Sequence, residues 1–362
     1  MDVSKPSYYD AFRCLAGSCP DSCCKEWDVD VDDASAARYR ALPGPLGQRL
    51  RQVLKDTEYG VQMAAQNHRC PMWREDGLCR IQAELGEAAL CHVCREFPRL
   101  RHDYGDFAEL GLELSCPEAA RLILTGPEGP NVSFPAPGGE APEYAREDME
   151  ILKQSRVTAL SLLKAFPAKE ALTLLLLYGA RAQLWLDTGE QPEFDARAAL
   201  EAAGSLAGEP DWAGFLEFFR NLEILTPRWQ QLLCAPTHPG LPEGTLRLAR
   251  YLVERYWLQA ISDFDLMGRV KFVVIACLLV GALPGHFLEN AQLFSKEIEN
   301  DADNVDAILD AAQCHHPFAD IRLLGMLLGA QEYKPTPHGQ QPDYRIQRPA
   351  VVQDASQIPS SS

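Results

Sequence analysis

Nine of the chain's twelve cysteines stand in its first 116 residues, at spacings that suit metal ligands. They run Cys14, Cys19, Cys23 and Cys24, then Cys70 and Cys79, then Cys91 and Cys94, and finally Cys116. Thiols gathered in this way either pair as disulfides or bind metal. Residues 1–12 carry charge and no apolar stretch of the kind that directs secretion. The expectation is a cytoplasmic chain whose thiols stay reduced and act as ligands. Zinc takes tetrahedral sulfur at close spacings, which Cys19/Cys23 and Cys91/Cys94 satisfy. A 4Fe–4S cluster needs four thiolates and accepts wider steps such as Cys14/Cys19 and Cys70/Cys79. Spacing alone leaves both open. Cys23 and Cys24 are adjacent, so one ligates while the other packs, or the two serve different sites.

Other chemistry is excluded residue by residue. Cys91-His92-Val93-Cys94 is followed by Arg95, not by the histidine of haem attachment, and no βαβ pattern surrounds it as a redox pair would require. Asp28, Asp30 and Asp32 resemble the start of a calcium loop. Asp33 stands where such a loop needs glycine, and Tyr39 where it needs glutamate. No Cys-x3-Cys-x2-Cys triad and no glycine-rich dinucleotide fingerprint occur. His68 and His92 read as neighbours of the ligands, and Cys314-His315-His316 as a solvent-facing helix end. Cys234 and Cys277 sit in apolar helical surroundings and read as core residues.

The elements that must hold these residues are mainly α-helical. The chain divides into a cysteine-rich metal-binding module over 1–124, with short helices and long loops, and a Gly/Pro-rich linker over 125–143. An irregular α-helical domain follows over 144–333, and a disordered tail over 334–362. Ala249, Leu252, Val253, Tyr256 and Ala260 share one helical face, as do Leu152, Ala159, Leu162, Leu163 and Phe166. Pro167, Gly189, Pro210, Pro227 and Pro284-Gly285 mark the breaks between eight to ten helices. In the first module, helices are expected over 36–42, capped by Asp33 or Ser35, and over 46–56. Ser115-Cys116-Pro117-Glu118 fits a capping box with Cys116 at the first helical position, where the dipole favours thiolate.

Bulk composition narrows the partners. The net charge is −17, from 51 acidic and 34 basic side chains. That argues against nucleic acid, whose phosphates require a basic face. It suits solubility, and it suits a lysine-bearing partner. No apolar run reaches the ~20 residues that span a bilayer. The longest, Phe272 to Leu283, reads as a buried core helix.

Four blocks carry a family likeness: Cys14 and Cys19 ahead of Cys23-Cys24-Lys25-Glu26-Trp27; Gly77-Leu78-Cys79-Arg80-Ile81 after Cys70-Pro71; Cys91 through Arg99; and Leu114-Ser115-Cys116-Pro117-Glu118-Ala119-Ala120-Arg121. Together they resemble the flagellin lysine-N-methylase (FliB) family. The first block is also similar to cysteine-cluster proteins described as zinc or iron chelating. The helical part is similar more loosely, around Tyr256-Trp257-Leu258 and Asp263-Phe264-Asp265-Leu266. The resemblance implies an enzyme that methylates lysine ε-amines of flagellin, with S-adenosylmethionine as donor and an iron–sulfur cluster on the cysteines. Arg95 and Arg99 are candidates to bind the donor's carboxylate, against a role in ion pairs that steady the loop. Glu118 reads as a capping residue within reach of Arg121. A non-catalytic zinc scaffold that binds a partner protein is the competing reading, and an electron-transfer protein a third.

Overall fold

A computed structural model describes residues 1–236 and 240–332. The tail expected beyond residue 333 lies outside the described residues. The chain is mainly α, with fifteen α-helices and nine short strands among the described residues.

The helical part begins at Arg146 and holds ten of those helices. At its centre lies Leu266–Ala282. Phe272, Val274, Cys277, Leu278 and Leu279 are all buried on it, so the apolar run seen in sequence is a core helix. Two basic residues inside it are neutralised. Arg269 pairs with Asp263 at 2.8 Å, and Lys271 reaches Asp320 at 2.6 Å and the Ala312 carbonyl at 2.7 Å. Asp265 caps the helix by accepting from the Gly268 N–H at 2.8 Å. The helix Ala168–Thr188 crosses it closely at Gly179, where a Cβ would stand 2.6 Å from Val270 Cγ1. Both sequence-predicted helical faces are buried, Phe166 partly so. The breaks act as expected: Pro167 precedes one helix, Gly189 closes it at φ 74°, and Pro227 opens another. No described helix is long and apolar enough to cross a membrane.

The first module contains strands that its sequence did not announce. Val29–Val31, Gly60–Met63 and Leu54–Thr57 form one sheet, in the order first strand, Gly60–Met63, then Leu54–Thr57. The aspartates that mimicked a calcium loop belong here: Val29 and Val31 turn inward while Asp30 faces solvent. Asp28 accepts from Ala65 N at 2.7 Å and Asp30 from Gln62 at 2.8 Å. The helix expected over 46–56 is Gly44–Val53, because Leu54–Thr57 pairs with Gly60–Met63 instead of continuing it. The helix expected over 36–42 starts earlier, at Asp33, and its cap is Asp32.

A second sheet joins the two ends of the first 135 residues. Its order is Arg99–Asp103, Phe107–Leu112, Asp2–Lys5, Val132–Pro135. Val3 pairs with Ala108 in parallel and with Phe134 in antiparallel register. The Gly- and Pro-rich stretch after Leu124 therefore contributes an edge strand as well as loop. Buried side chains form two clusters. The smaller holds Val29, Tyr39, Leu50, Met63, Met72 and Ile81 together with Cys70 and Cys91. The larger takes in Leu112, Leu114, Cys116 and the helix Pro117–Thr125 along with the whole helical part.

Candidate metal-thiolate site and adjoining cavity

The nine amino-terminal cysteines are all free thiols, and each lies within electrostatic reach of at least one other. Main-chain bonds and helix starts bring them together. The Cys70 N–H donates to the Cys24 carbonyl at 2.8 Å, and Trp73 bridges Cys79 across a tight turn. Cys79, Cys91 and Cys116 are each the N-cap of a short helix: Arg80–Leu85, His92–Glu96 and Pro117–Thr125. Cys116 thus sits one position before the place expected from sequence, and Pro117 is the first helical residue. Glu118, expected as a cap, is held by Arg121 at 2.7 Å and 2.9 Å.

Electrostatic contact links the thiols into two overlapping groups, with Cys23 also in reach of Cys94. Cys14, Cys19, Cys23 and Cys116 feel one another, and so do Cys24, Cys70, Cys79, Cys91 and Cys94. The adjacent pair Cys23 and Cys24 joins the groups through a sulfur–sulfur hydrogen bond. Cys24 also bonds Cys70, and Cys91 bonds Cys94. Hydrogen bonds from Cys23 and then Cys70 pull the Cys24 thiol well below its ordinary range. Cys94 does the same for Cys91, which falls to about 7. Burial pushes Cys116 up to about 12, against the helix N–H groups of Ala119 and Glu118. In the second group Cys24 and Cys91 are thus favoured as thiolates, while hydrogen bonding and burial hold Cys70 and Cys94 protonated. Among the described residues, no three His, Cys, Asp or Glu side chains are set as a group that could hold a metal ion. The donor set itself fits zinc or an iron–sulfur cluster, since it is reduced, sulfur-only and at least four strong.

His68 pairs with Glu26 at 3.1 Å, and the main-chain N–H of His92 donates to Asp32 at 2.8 Å. Asp32 also accepts from Ser35 N, so one carboxylate, held down to about 2 chiefly by the His92 N–H, ties together two helix starts. Asp32→Ala is expected to cost ~1–2 kcal/mol, the range for a lost helix cap, and to loosen the Cys91 turn. A urea midpoint equal to the parent's would refute that role.

Arg95 pairs with Glu96 at 3.3 Å, and the Arg99 guanidinium lies 5.3 Å over the Phe12 ring. Cys277 is fully buried in the central helix, whereas Cys234 and Cys314 are exposed. His316 faces Asp211 at 3.4 Å, and His315 packs against Phe218.

Sequence reasoning missed the clamp that fastens the thiol loop to the helical part. Asp21, between Cys19 and Cys23, accepts from Lys296 at 3.0 Å and from Gln292 at 3.1 Å. Gln292 donates in addition to the Ser115 carbonyl at 2.6 Å, next to Cys116. Trp27 donates its indole N–H to the Cys23 carbonyl at 2.8 Å and offers its face to Lys296, 5.1 Å away. Lys296 lies in a single π-helical turn, Ser295–Glu299, that continues the helix Phe287–Phe294. Such turns re-aim side chains and are frequent at functional sites. No local sequence pattern marks Lys296, which stands among Gln292, Ser295, Glu297 and Glu299.

Beside the clamp opens a cavity of about 510 Å³. Pro20, Asp21 and Pro117 form its thiol-side wall, and Arg228, Glu289 and Lys296 line the helical side.

Comparison with known proteins settles the family. Over 135 residues the chain is 33% identical to the flagellar biosynthetic protein FliU of Salmonella muenchen, a match covering 35% of this chain and 80% of FliU. The chain belongs to the FliB family of lysine-N-methylases. This FliB-family chain is equally 33% identical, again over 135 residues, to proteins named lysine-N-methylase from Salmonella typhimurium and Salmonella choleraesuis. There the match spans 34% of the relatives' length, about a third. No family model matches the FliB-family chain, and no solved structure matches it.

Proposed function

We propose that this chain is a protein-lysine N-methyltransferase. It moves the methyl group of S-adenosylmethionine to lysine ε-amines of flagellin in the cytoplasm, and its amino-terminal thiols hold an iron–sulfur cluster. The observation that carries the reading is the meeting of nine cysteines from four separated stretches, in a family with members named lysine-N-methylase. Cys14, Cys19, Cys23 and Cys116 form one candidate ligand set. The other draws on Cys24, Cys70, Cys79, Cys91 and Cys94. When bound, a cluster supplies one-electron redox capacity and a rigid core for the loops that ligate it.

The transfer itself makes defined demands. An ammonium has no lone pair, so the lysine must first lose a proton. The neutral nitrogen then attacks the sulfonium methyl. A C–N bond forms and the C–S bond breaks, the bonding pair stays on sulfur as a thioether, and the methylated ammonium later sheds a proton to solvent. Nitrogen, carbon and sulfur must lie in line at near-attack distance. The protein's acidic surface suits a lysine-bearing substrate.

Anaerobically prepared protein, incubated with flagellin and methyl-labelled S-adenosylmethionine, is expected to place label on flagellin lysine. If metal-replete protein leaves flagellin unlabelled, the enzyme reading fails. Colourless protein carrying two zinc ions per chain and no activity would favour a zinc-bound scaffold.

A further inference from the structure

The cavity beside Asp21 carries an assignment of its own. We infer that it is the binding site of the methyl donor, an assignment that rests on the methylase reading above. Its volume, about 510 Å³, falls within the range of small-molecule pockets. Its wall is built from residues adjacent to Cys19 and Cys116, so a molecule inside would lie next to the thiol groups. Its interior charges are already committed. Lys296 and Asp21 hold each other at 3.0 Å, and Gln292 is spent on Asp21 and Ser115. These fix the shape of the site at the clamp.

Three lining charges remain without a partner among the described residues: Lys25 and Arg228, which are positive, and Glu289, which is negative. Arg228 is exposed and Glu289 half-buried, on different helices, and neither has a hydrogen bond or ion pair. Between them the lining is apolar, from Pro20, Pro117, Leu232, Leu288 and Leu293. The ligand this combination recognises has a carboxylate, an ammonium and an apolar body. Arg228 supplies a fork for the carboxylate. Glu289 accepts from the ammonium. The proline and leucine surfaces bury the rest. A sulfonium nucleoside that ends in an amino acid has all three parts. A lysine side chain alone has no use for Arg228 or Lys25, and a phosphate ligand has no use for Glu289.

The clamp couples the site to the metal. The loop that carries Cys19 and Cys23 is one wall, and Asp21, Gln292 and Lys296, together with Trp27, join it to the opposite wall. Arg95 and Arg99 are not among the residues that line the cavity.

The test is calorimetric titration of metal-replete, full-length protein with S-adenosylhomocysteine, the unreactive product. Arg228→Ala and Glu289→Gln are each expected to weaken binding tenfold or more and to raise the donor KM in parallel. Far-ultraviolet circular dichroism should be unchanged, because neither side chain makes a hydrogen bond or ion pair among the described residues. If both variants bind like the parent, the assignment is overturned. It is also overturned if Arg95→Ala or Arg99→Ala abolishes binding while Arg228→Ala does not. If parent and variants all methylate flagellin with the same donor KM, only the cavity assignment fails. If the parent neither binds the product nor methylates, the methylase reading fails with it.

Discussion

Replacing Cys24 or Cys94 by serine is expected to strip the inorganic centre from the protein and to melt the region between Val29 and Cys94. The reason lies in what holds that region. Its core is a small cluster of buried side chains in which Cys70 and Cys91 are themselves members, with Cys24, Cys79 and Cys94 packed at its edge. A core of that size has little stability to spare. Metal bound only in the folded state adds its binding free energy to folding, ~10–16 kcal/mol for structural zinc in small modules. That is comparable with the whole stability of an ordinary domain, ~5–15 kcal/mol. Cys24 is the most connected thiol, bonded to both Cys23 and Cys70, and Cys94 bonds Cys91 across a helical turn. Metal analysis, thermal melting and limited proteolysis read the effect together. Cys234→Ser, at an exposed thiol outside both groups, should leave all three unchanged. A Cys24 or Cys94 variant with full metal content and the parent's melting curve would remove that residue from the ligand set.

The second large effect is expected at Glu299. Its side chain is completely buried in the π-helical turn, where it pairs with Arg255 at 3.3 Å and accepts from the Tyr256 hydroxyl at 3.0 Å. Tyr251 donates to the same carboxylate, at 3.3 Å, while its hydroxyl accepts from Arg255 at 2.6 Å and from the Leu114 N–H at 3.3 Å. Burial holds both tyrosines well above their usual range, so they stay neutral donors. Burial also pushes the nearby Glu113 carboxyl up to about 7. Glu299→Ala leaves the Arg255 guanidinium buried without its closest counter-charge. Breaking one side of a buried pair costs ~3–5 kcal/mol. Denaturant unfolding should show that loss, and Glu299→Gln, which keeps an acceptor for the tyrosines, should lose less. Pairing Glu299→Leu with Arg255→Met should recover much of the stability, since the uncompensated charge is then gone. A Glu299→Ala midpoint near that of the parent would mean that Arg255 finds water, and that the network does not fasten Leu114 to the helices.

What could be read in advance follows from where the information sits. The apolar stripes and the proline breaks are local, and each led to the element found. The central helix was legible because its apolar run had one explanation. Short strands were not, because Val29-Asp30-Val31 offers a single alternation and its aspartates mimic a metal loop. Leu46 to Asp56 keeps a helical period past Val53, yet pairing with Gly60–Met63 overrides it. The capping box failed by one residue because Pro117, with no N–H to give, took the first helical position. Least legible was the clamp. Asp21 lies 275 residues from Lys296 and 271 from Gln292, and no local pattern links them. Arg228 and Glu289 are silent in sequence for the same reason: an unpaired charge is visible only once its neighbours are placed.

The central claim is that the nine thiols hold iron and sulfide. Its most direct test is quantitation of iron, acid-labile sulfide and zinc, with the visible absorption spectrum, on the full chain isolated without oxygen. The account predicts brown protein with broad absorbance near ~400 nm, iron and sulfide in equal amounts, and loss of both on Cys→Ser substitution within a ligand set. Colourless protein in which all nine thiols react freely, or one that carries zinc and no sulfide, would contradict it.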